Sequence, residues 1–320
     1  MKLKLIVVSV WLLSCSNSNP ASDYLRTPKT SIKGAEANPE MKDKIEEVTP
    51  VSSKTEDSDK TKEDSDESSS DPIVKNPPKE TSVPDSPAEN ESRPKPIKFE
   101  GTLRIMPLGA SFTQGTGSKK AGYRGFLHKD LDEAKIPHQF VGSNKDQPGD
   151  LPEGQTQHEG HPGYVITSET SGRAGITDNL SKWLGPKGAD PQIITLLVGS
   201  NDVDINYKFD QIEQRYDAMI SSLLDAEKGL KPNAILIVST IALNSNPEKE
   251  VRTQKYNAII KKIYDKRKAK GERIYLVDVH AKLLKSDMTD GLHANDIGYE
   301  KVGRLFTDVI KEAVAVENAK

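Results

Sequence analysis

The sequence has little cysteine, few aromatic residues and almost no net charge. A single cysteine among 320 residues excludes an intramolecular disulfide. Aromatic residues make up 5% of the chain and hydrophobic residues 34%, which is low for one globular fold of this length. The formal net charge is −3, and residues 98–320 are nearly neutral with 31 basic and 30 acidic side chains. This balance argues against nucleic acid as a partner, because nucleic-acid binding needs a basic face that displaces phosphate counterions.

The shortage of apolar residues is concentrated in residues 16–97. This stretch holds 11 of the 20 prolines, one of the 22 glycines and one aromatic residue, Tyr24, with 18 acidic against 12 basic side chains. It cannot bury enough apolar surface to offset the entropy of ordering its backbone, so we predict a disordered tether rich in Ser, Pro and acidic residues. Residues 98–320, with 30 acidic and 31 basic side chains, are long enough for one domain with a sizeable core.

Residues 1–15 have the pattern of a bacterial lipoprotein signal peptide. Two lysines precede an apolar run, Leu5–Leu13, which is too short to span a bilayer of about 30 Å as a helix. The run is followed by Ser14 and Cys15, and its end resembles a lipobox with Cys15 as the lipidated residue. The alternative is a conventional signal whose cysteine lies near the cleavage site by chance. We expect a secreted, membrane-anchored lipoprotein, in the outer membrane and periplasm or at the cell surface.

The rest of the chain alternates between short apolar runs and amphipathic stretches. The apolar runs predict five strands: Leu103–Leu108, Gln139–Gly142, Ile193–Val198, Ala234–Ser239 and Ile274–Val277. Helical spacing predicts helices at Tyr123–Ala134, Ile176–Leu184, Ile212–Ala226, Val251–Lys268 and Ile297–Val314. Strands that alternate with helices favour a parallel sheet covered on both faces. We therefore predict an α/β fold, a three-layer α/β/α sandwich around a central, mostly parallel five-stranded sheet.

Polar motifs follow the ends of the predicted strands, where open α/β sheets bind their ligands. Gly109-Ala110-Ser111 follows the first strand, Gly-Ser-Asn201-Asp202 follows the third, and Asp290-Gly-Leu-His293 comes after the last. A long polar loop over roughly residues 143–164 contains the sequence His-Glu-Gly-His-Pro-Gly-Tyr, residues 158–164. Each motif alone is ordinary: a turn serine, a helix-capping Asn-Asp pair, a surface histidine. Their joint occurrence at strand ends predicts one catalytic site.

In this chain order the serine, glycine, asparagine and histidine resemble the SGNH (GDSL-like) hydrolase superfamily over almost all of residues 101–310. The 158–164 loop, after a first strand reading Arg-Ile-Met-Pro-Leu-Gly, is similar to carbohydrate esterase family three, which includes acetylxylan esterases. The resemblance implies a flavodoxin-like sheet and a carboxylic ester hydrolase. The sequence departs from the superfamily pattern at Ala110, where Asp is usual, and from the pattern of carbohydrate esterase family three at Tyr164, where Trp is frequent.

The chemistry explains why these residue types are needed. A serine hydroxyl becomes a nucleophile when a neighbouring base accepts its proton. By resemblance, Ser111 is the nucleophile, His293 is its base, and Asp290 orients the imidazole. The resemblance assigns the oxyanion hole to the Ser111 and Gly163 backbone N–H groups and the Asn201 side-chain amide.

Two questions about the 158–164 loop remain open in the sequence. Gly160 is the alternative to Gly163 as the oxyanion donor. His158 and His161 with Glu159 could suggest a metal site, but no third ligand at a typical spacing is identifiable, so we expect hydrogen bonds instead and neither a metal nor a cofactor. Three other histidines are interpreted as structural or exposed, and a tryptophan is expected in the core: His128, His138, His280 and Trp183.

Three functions are compatible with these residues. The first is a serine esterase that removes O-acetyl groups from a polysaccharide through an acyl-enzyme intermediate; its partners are an acetylated polysaccharide or another small ester. The second is a lysophospholipase or thioesterase on the same fold. The third is a non-catalytic, tethered carbohydrate-binding lipoprotein. The presence of both Asp290 and His293 argues against the third, and the loop resemblance favours the first.

The lipobox interpretation predicts the behaviour of a Cys15→Ser variant. Without the thiol there is no acceptor for the lipid, so the variant should take up no labelled fatty acid and should no longer partition with membranes. Metabolic labelling and membrane fractionation measure both effects. Unchanged membrane partitioning would show that Cys15 is not the anchor.

Overall fold

A computed structural model describes residues 98–184, 188–224 and 234–320 of the chain. The predicted signal peptide with Cys15, the predicted tether over 16–97, and the predicted end of one helix at Ala226 lie outside the described residues. They stay predictions.

The described strands and helices alternate as the apolar runs predict. The strands are β1 (Leu103–Gly109), β2 (His138–Phe140), β3 (Glu159–Gly160), β4 (Ile193–Leu197), β5 (Ile235–Ser239) and β6 (Ile274–Val277). The helices are α1 (Ser111–Gln114), α2 (Tyr123–Glu133), α3 (Leu180–Leu184), α4 (Ser200–Asp204), α5 (Ile212–Leu224), α6 (Pro247–Ala269) and α7 (Asp296–Asn318). Short 3₁₀ turns precede α3 and α5.

Helix α6 begins four residues earlier than the hydrophobic pattern predicts, because its start is set by capping. The Asn246 side chain accepts hydrogen bonds from the backbone N–H groups of Glu248 and Lys249, and Pro247 occupies the first turn, where its missing N–H costs nothing. At α7, the Asn295 side chain caps in the same way and accepts from the Gly298 N–H.

All pairings in the sheet are parallel, and the strand order is β2-β1-β4-β5-β6. The prediction of five strands is wrong by one: β3 pairs with the carboxyl end of β1, Leu108 opposite Glu159 and Gly109 opposite Gly160. Strand β2 pairs with the other end of β1, beginning at Leu103 opposite His138. A two-residue strand in a Gly- and His-rich loop has no apolar run, so the sequence pattern cannot show it.

The helices cover both faces of the sheet, which confirms the predicted three-layer sandwich. Helices α2 and α7 pack together, with the Tyr123 and Phe306 rings 4.8 Å apart. Helices α5 and α6 also pack together, with the Tyr216 and Tyr256 rings 5.6 Å apart. In the described ranges no helix is both long and apolar enough to cross a membrane.

The core consists mainly of the strands and the inner faces of these helices. Every residue of β4 and of β5 is buried, as expected of strands covered on both sides. The carboxyl ends of the strands carry the loops and the short helices α1 and α4. These two helices are four and five residues long, too short for a periodic pattern to predict them.

Gly160 lies where β3 meets the helix that begins at Ser111. A Cβ atom added to Gly160 would lie 2.4 Å from the Gln114 backbone nitrogen, so this contact tolerates no side chain. We predict that Gly160→Ala destabilises the domain by about 1–3 kcal/mol, the usual cost of overpacking. Thermal unfolding should show a Tm lower by about 2–4 °C for each kcal/mol.

The matched control is Gly154→Ala in the same loop region, because a Cβ there meets no atom within 4 Å. That variant should unfold at the wild-type temperature. Equal Tm values for the Gly160 and Gly154 variants would contradict the close approach of β3 and α1.

Candidate active site

The candidate site lies beyond the carboxyl ends of β1 and β4, two neighbouring strands. Strand order reverses between them, since β2 follows β1 on one side and β4 lies on the other. Such switch points form a crevice that binds ligands in open α/β sheets. Ser111 begins the helix after β1, and Asn201 lies in the first turn of the helix after β4.

The structure brings Ser111, His293 and Asp290 into one hydrogen-bonded row. Ser111 Oγ lies 2.8 Å from His293 Nε2, and His293 Nδ1 lies 2.7 Å from Asp290 Oδ2. Because an ionised carboxylate can only accept, Asp290 assigns the proton to Nδ1 and leaves Nε2 free to accept from the serine hydroxyl. The arrangement is therefore ready for transfer of the Ser111 proton to His293.

Hydrogen bonds keep Asp290 ionised. Partial burial raises the pKa of its carboxyl, but bonds from the His293 side chain and from the backbone N–H groups of His293 and Leu292 outweigh burial, and the net pKa is lowered. The carboxylate is thus a charged partner for an imidazolium, which forms when His293 takes the serine proton.

The loop that carries His293 is fixed from two sides. The Ser245 backbone N–H donates to the Gly291 carbonyl at 2.9 Å, which ties the loop to the segment after β5. On the other side, the Tyr299 hydroxyl of α7 donates to the Thr116 carbonyl at 2.7 Å, just after the helix of Ser111. Both partners of the Ser111–His293 bond are therefore held by the fold.

The two glycines of the 158–164 loop have different surroundings. The Gly160 N–H donates to His158 Nδ1 at 2.9 Å, and the Gly160 carbonyl accepts from Asn144 Nδ2 at 3.0 Å. Gly163 has a φ of +80°, and within the described ranges its N–H has no hydrogen-bond partner. Because the Gly160 N–H is already used, the geometry favours Gly163 as the predicted oxyanion donor.

Two hydrogen bonds bring the other predicted donors to this loop. The His161 N–H donates to the Gly109 carbonyl at 2.9 Å, which ties the loop to the end of β1, two residues before Ser111. Asn201 Nδ2 donates to the Tyr164 carbonyl at 2.7 Å, one residue beyond Gly163. The second N–H of the Asn201 amide has no partner in the described part of the chain, and an ester oxyanion could use it.

The histidines of the loop have hydrogen-bond roles. His158 Nε2 lies 2.9 Å from the Asp146 carbonyl, while Nδ1 accepts from Gly160, so both ring nitrogens are occupied. His161 Nε2 lies 2.7 Å from Glu159 Oε2, and Glu159 is itself buried. Among residues 98–184, 188–224 and 234–320, no three His, Cys, Asp or Glu side chains are grouped to hold a metal.

The predicted core position of Trp183 is confirmed, and it supports the same loop. The side chain is buried, and its ring stacks on the His161 ring with centroids 4.4 Å apart and an angle of 2° between the planes. Tyr164 belongs to the same cluster, with its ring centroid 4.9 Å from that of His161 and 6.4 Å from that of Trp183. The cluster holds the peptide on either side of Gly163.

Sequence reasoning missed two arginines of the site. Arg173 Nη1 lies 3.2 Å from Asn201 Oδ1 and 3.4 Å from the Gly163 carbonyl; it comes from a polar Ser- and Gly-rich segment without any motif. Arg124 is fully buried in α2, and burial lowers the pKa of its guanidinium to about 10, so it stays charged at neutral pH. It donates to five backbone carbonyls, two beside Ser111 and three in the long loop: Thr113, Gln114, Asp146, Gln147 and Thr156.

Asp202 lies in the motif after the third predicted strand, but the sequence does not show which residues it pairs with. It is fully buried and pairs with Arg215, and its carboxylate accepts a hydrogen bond of 3.1 Å from the Ile166 N–H. Burial raises the pKa of Asp202 to about 6 against the opposing effect of the Arg215 charge. Its role is to fix the helix of Asn201 to the segment after Tyr164.

The fold and this constellation define the class of the protein: an SGNH-type hydrolase. Residues 108–301 match the GDSL-like lipase/acylhydrolase family. The chain therefore belongs to that family, and the described domain is that of a carboxylic ester hydrolase, as the resemblance of its motifs predicts.

Individual relatives agree with this assignment. A multidomain esterase from Ruminococcus flavefaciens is 30% identical over 242 residues, which are 69% of this chain but 30% of that protein. A Clostridium thermocellum family 3 carbohydrate esterase is 28% identical with a TM-score of 0.55, over 68% of this chain and 99% of the other. A family 3 carbohydrate esterase from Talaromyces cellulolyticus, 22% identical with a TM-score of 0.55 over 67% of this chain and 99% of its own, shares the fold.

The buried His158 makes stability depend on pH. Burial, and then the charge of Arg124, lower the pKa of His158 to about 4 from the usual 6.5. Between these values the unfolded chain binds more protons, so stability from neutral His158 is complete above pH 6.5 and is lost as the pH falls toward 4. We predict that protonation of His158 removes up to about 3 kcal/mol from the free energy of unfolding. Asp202, whose pKa is raised to about 6, has the opposite effect over much of the same range, so the difference between the wild type and a His158 variant measures the contribution of His158.

Urea unfolding at a series of pH values from about 7 to about 4.5 measures this dependence. The variant His158→Gln has no titrating group at this position, so its free energy of unfolding should fall less steeply with acid. An equally steep fall in the variant would show that other groups cause the dependence.

Proposed function

We propose that the protein is a serine esterase that removes O-acetyl groups from a polysaccharide, and that it acts from a membrane as a secreted lipoprotein anchored through Cys15. One observation carries the catalytic part: Ser111 Oγ lies 2.8 Å from His293 Nε2, whose other ring nitrogen is bonded to Asp290. A nucleophile, its base and the orienting carboxylate are the complete set that acyl transfer from an ester needs.

The reaction has two halves. In the first, Ser111 Oγ attacks the ester carbonyl carbon while its proton passes to His293 Nε2, and the tetrahedral oxyanion accepts hydrogen bonds from Ser111, Gly163 and Asn201. The C–O bond to the sugar then breaks, and His293 returns the proton to the leaving sugar oxygen. In the second half, water attacks the acyl-serine with His293 again as base, and acetate and free Ser111 result.

A carbohydrate substrate is supported by the kind of relatives and by the loop that carries Gly163. The relatives with the highest identity given above are an esterase and a family 3 carbohydrate esterase. Within the 158–164 loop the His161 ring packs on the Tyr164 ring, and it also stacks on the ring of Trp183 in α3. These ring contacts hold the loop beside Gly163 in place, and we expect such a fixed loop to favour a small acyl group.

We predict that the full chain releases acetate from an acetylated polysaccharide and that Ser111→Ala and His293→Ala each abolish most of this activity. Since the two residues act as a unit, the double variant should lose little more than either single variant. Acetylated xylan, acetylated chitin oligomers and acetylated peptidoglycan are the substrates to compare, with a lysophospholipid and a long-chain thioester beside them. Acetate release and thermal unfolding should be measured on the same preparations.

The outcomes separate the alternatives. Near-normal acetate release by a folded Ser111→Ala variant would remove Ser111 from the mechanism and end the proposal. Faster turnover of the lysophospholipid or the long-chain thioester than of every acetylated saccharide would assign the same machinery to lipid or thioester substrates instead.

A further inference from the structure

Arg173 contacts two of the three residues that form the predicted oxyanion hole, at atoms other than their donor groups. Its Nη1 atom lies 3.2 Å from Asn201 Oδ1 and 3.4 Å from the Gly163 carbonyl oxygen. We propose that Arg173 is a positioning residue of the active site: it holds the Asn201 amide so that its NH₂ group, and not its oxygen, faces the reacting ester. This inference rests on the proposed esterase function.

The Asn201 amide has two ends of opposite character, and its neighbours distinguish them. The oxygen accepts from Arg173, which has only donors, and the nitrogen donates to the Tyr164 carbonyl, which can only accept. Rotation of the amide by 180° would place NH₂ against the guanidinium and oxygen against the carbonyl, so both contacts would become repulsive. Arg173 and Tyr164 therefore fix one orientation, in which an N–H of Asn201 remains available for the oxyanion.

The charge of Arg173 adds to this orientation. Within the described ranges no carboxylate lies within ion-pair distance of its guanidinium, whose partners are the neutral oxygens of Asn201 and Gly163. A hydrogen bond from a charged donor to the Asn201 oxygen polarises the amide and makes its N–H groups stronger donors. This effect grows as negative charge develops on the ester oxygen, so it acts mainly in the transition state.

The backbone brings Arg173 to this position. The Val165 N–H donates to the Ala174 carbonyl at 3.0 Å, so the residue after Arg173 is tied to the residue after Tyr164. The Arg173 N–H donates to Ser171 Oγ, and that hydroxyl donates back to the Arg173 carbonyl, both at 3.0 Å. Although the arginine is exposed, its backbone is held by these bonds beside the peptide it contacts.

The test is a double-mutant cycle with the full chain and an aryl acetate as substrate. We expect Arg173→Ala to lower kcat by about tenfold, the usual effect of a lost charged hydrogen bond, with KM changed less than about twofold. Asn201→Ala should lower kcat by about 10²–10³. In the Asn201→Ala background, Arg173→Ala should have little further effect on kcat, because the group that it positions is absent.

The control for a lost positive charge is Lys311→Ala. Lys311 is exposed on α7, fifteen residues after the helix begins at Asp296 and so about 22 Å along its axis. This variant should keep the wild-type kcat, and all variants should keep the wild-type Tm.

Three results would overturn the inference. The first is an unchanged kcat in Arg173→Ala. The second is an equal factor of decrease in kcat from Arg173→Ala in the wild-type and Asn201→Ala backgrounds. The third is a rise in KM alone, which would make Arg173 a substrate contact. Failure of the esterase proposal itself is distinguishable, because it would appear as retained activity in Ser111→Ala whatever Arg173 does.

Discussion

The hydrogen bond between Ser111 and His293 joins two residues that are 182 positions apart in the chain. Nothing local can create it, so the whole order of strands must bring the end of β1 to the segment before α7. A parallel sheet does this because all its strands deliver their carboxyl ends to the same edge. Two further hydrogen bonds then fix the segments that carry the two residues. The Ser245 N–H donates to the Gly291 carbonyl, and the Tyr299 hydroxyl donates to the Thr116 carbonyl.

Two fully buried charges around the site are stabilised by different kinds of partner. Arg124 is fully buried without a carboxylate, and five carbonyl oxygens satisfy its guanidinium. It therefore ties the nucleophile's helix to the long loop without introducing a negative charge beside the developing oxyanion. Asp202, also buried, pairs with Arg215 and holds the helix of Asn201. The helix of Ser111 is thus held by the buried charge of Arg124, and the helix of Asn201 by the buried charge of Asp202.

The parts of the fold that the sequence predicts are those where burial imposes a repeating pattern. Strands β1, β4, β5 and β6 are buried on both faces and appear as apolar runs, and the catalytic candidates follow them in polar clusters. Strand β3 and the helix of Ser111 are too short to repeat any pattern, so neither could be predicted. Arg124 lies in an amphipathic helix where an arginine normally indicates the exposed face, and only the carbonyls of distant segments explain its burial. The contacts of Arg173 likewise depend on a backbone bridge at Val165 that no motif records.

The 158–164 loop shows why a single sequence could leave its two glycines unresolved. The two positions favour glycine for different reasons. A Cβ at Gly160 would clash with the Gln114 backbone, whereas Gly163 has a positive φ and a Cβ there would make only an ordinary contact of 3.9 Å, with Arg173 Nη1. Sequence records glycine in both cases. The distinction comes from the hydrogen bond between Gly160 and His158, which is possible because burial keeps that histidine neutral and able to accept. A titratable side chain with no part in the chemistry thereby decides which backbone N–H is free for it.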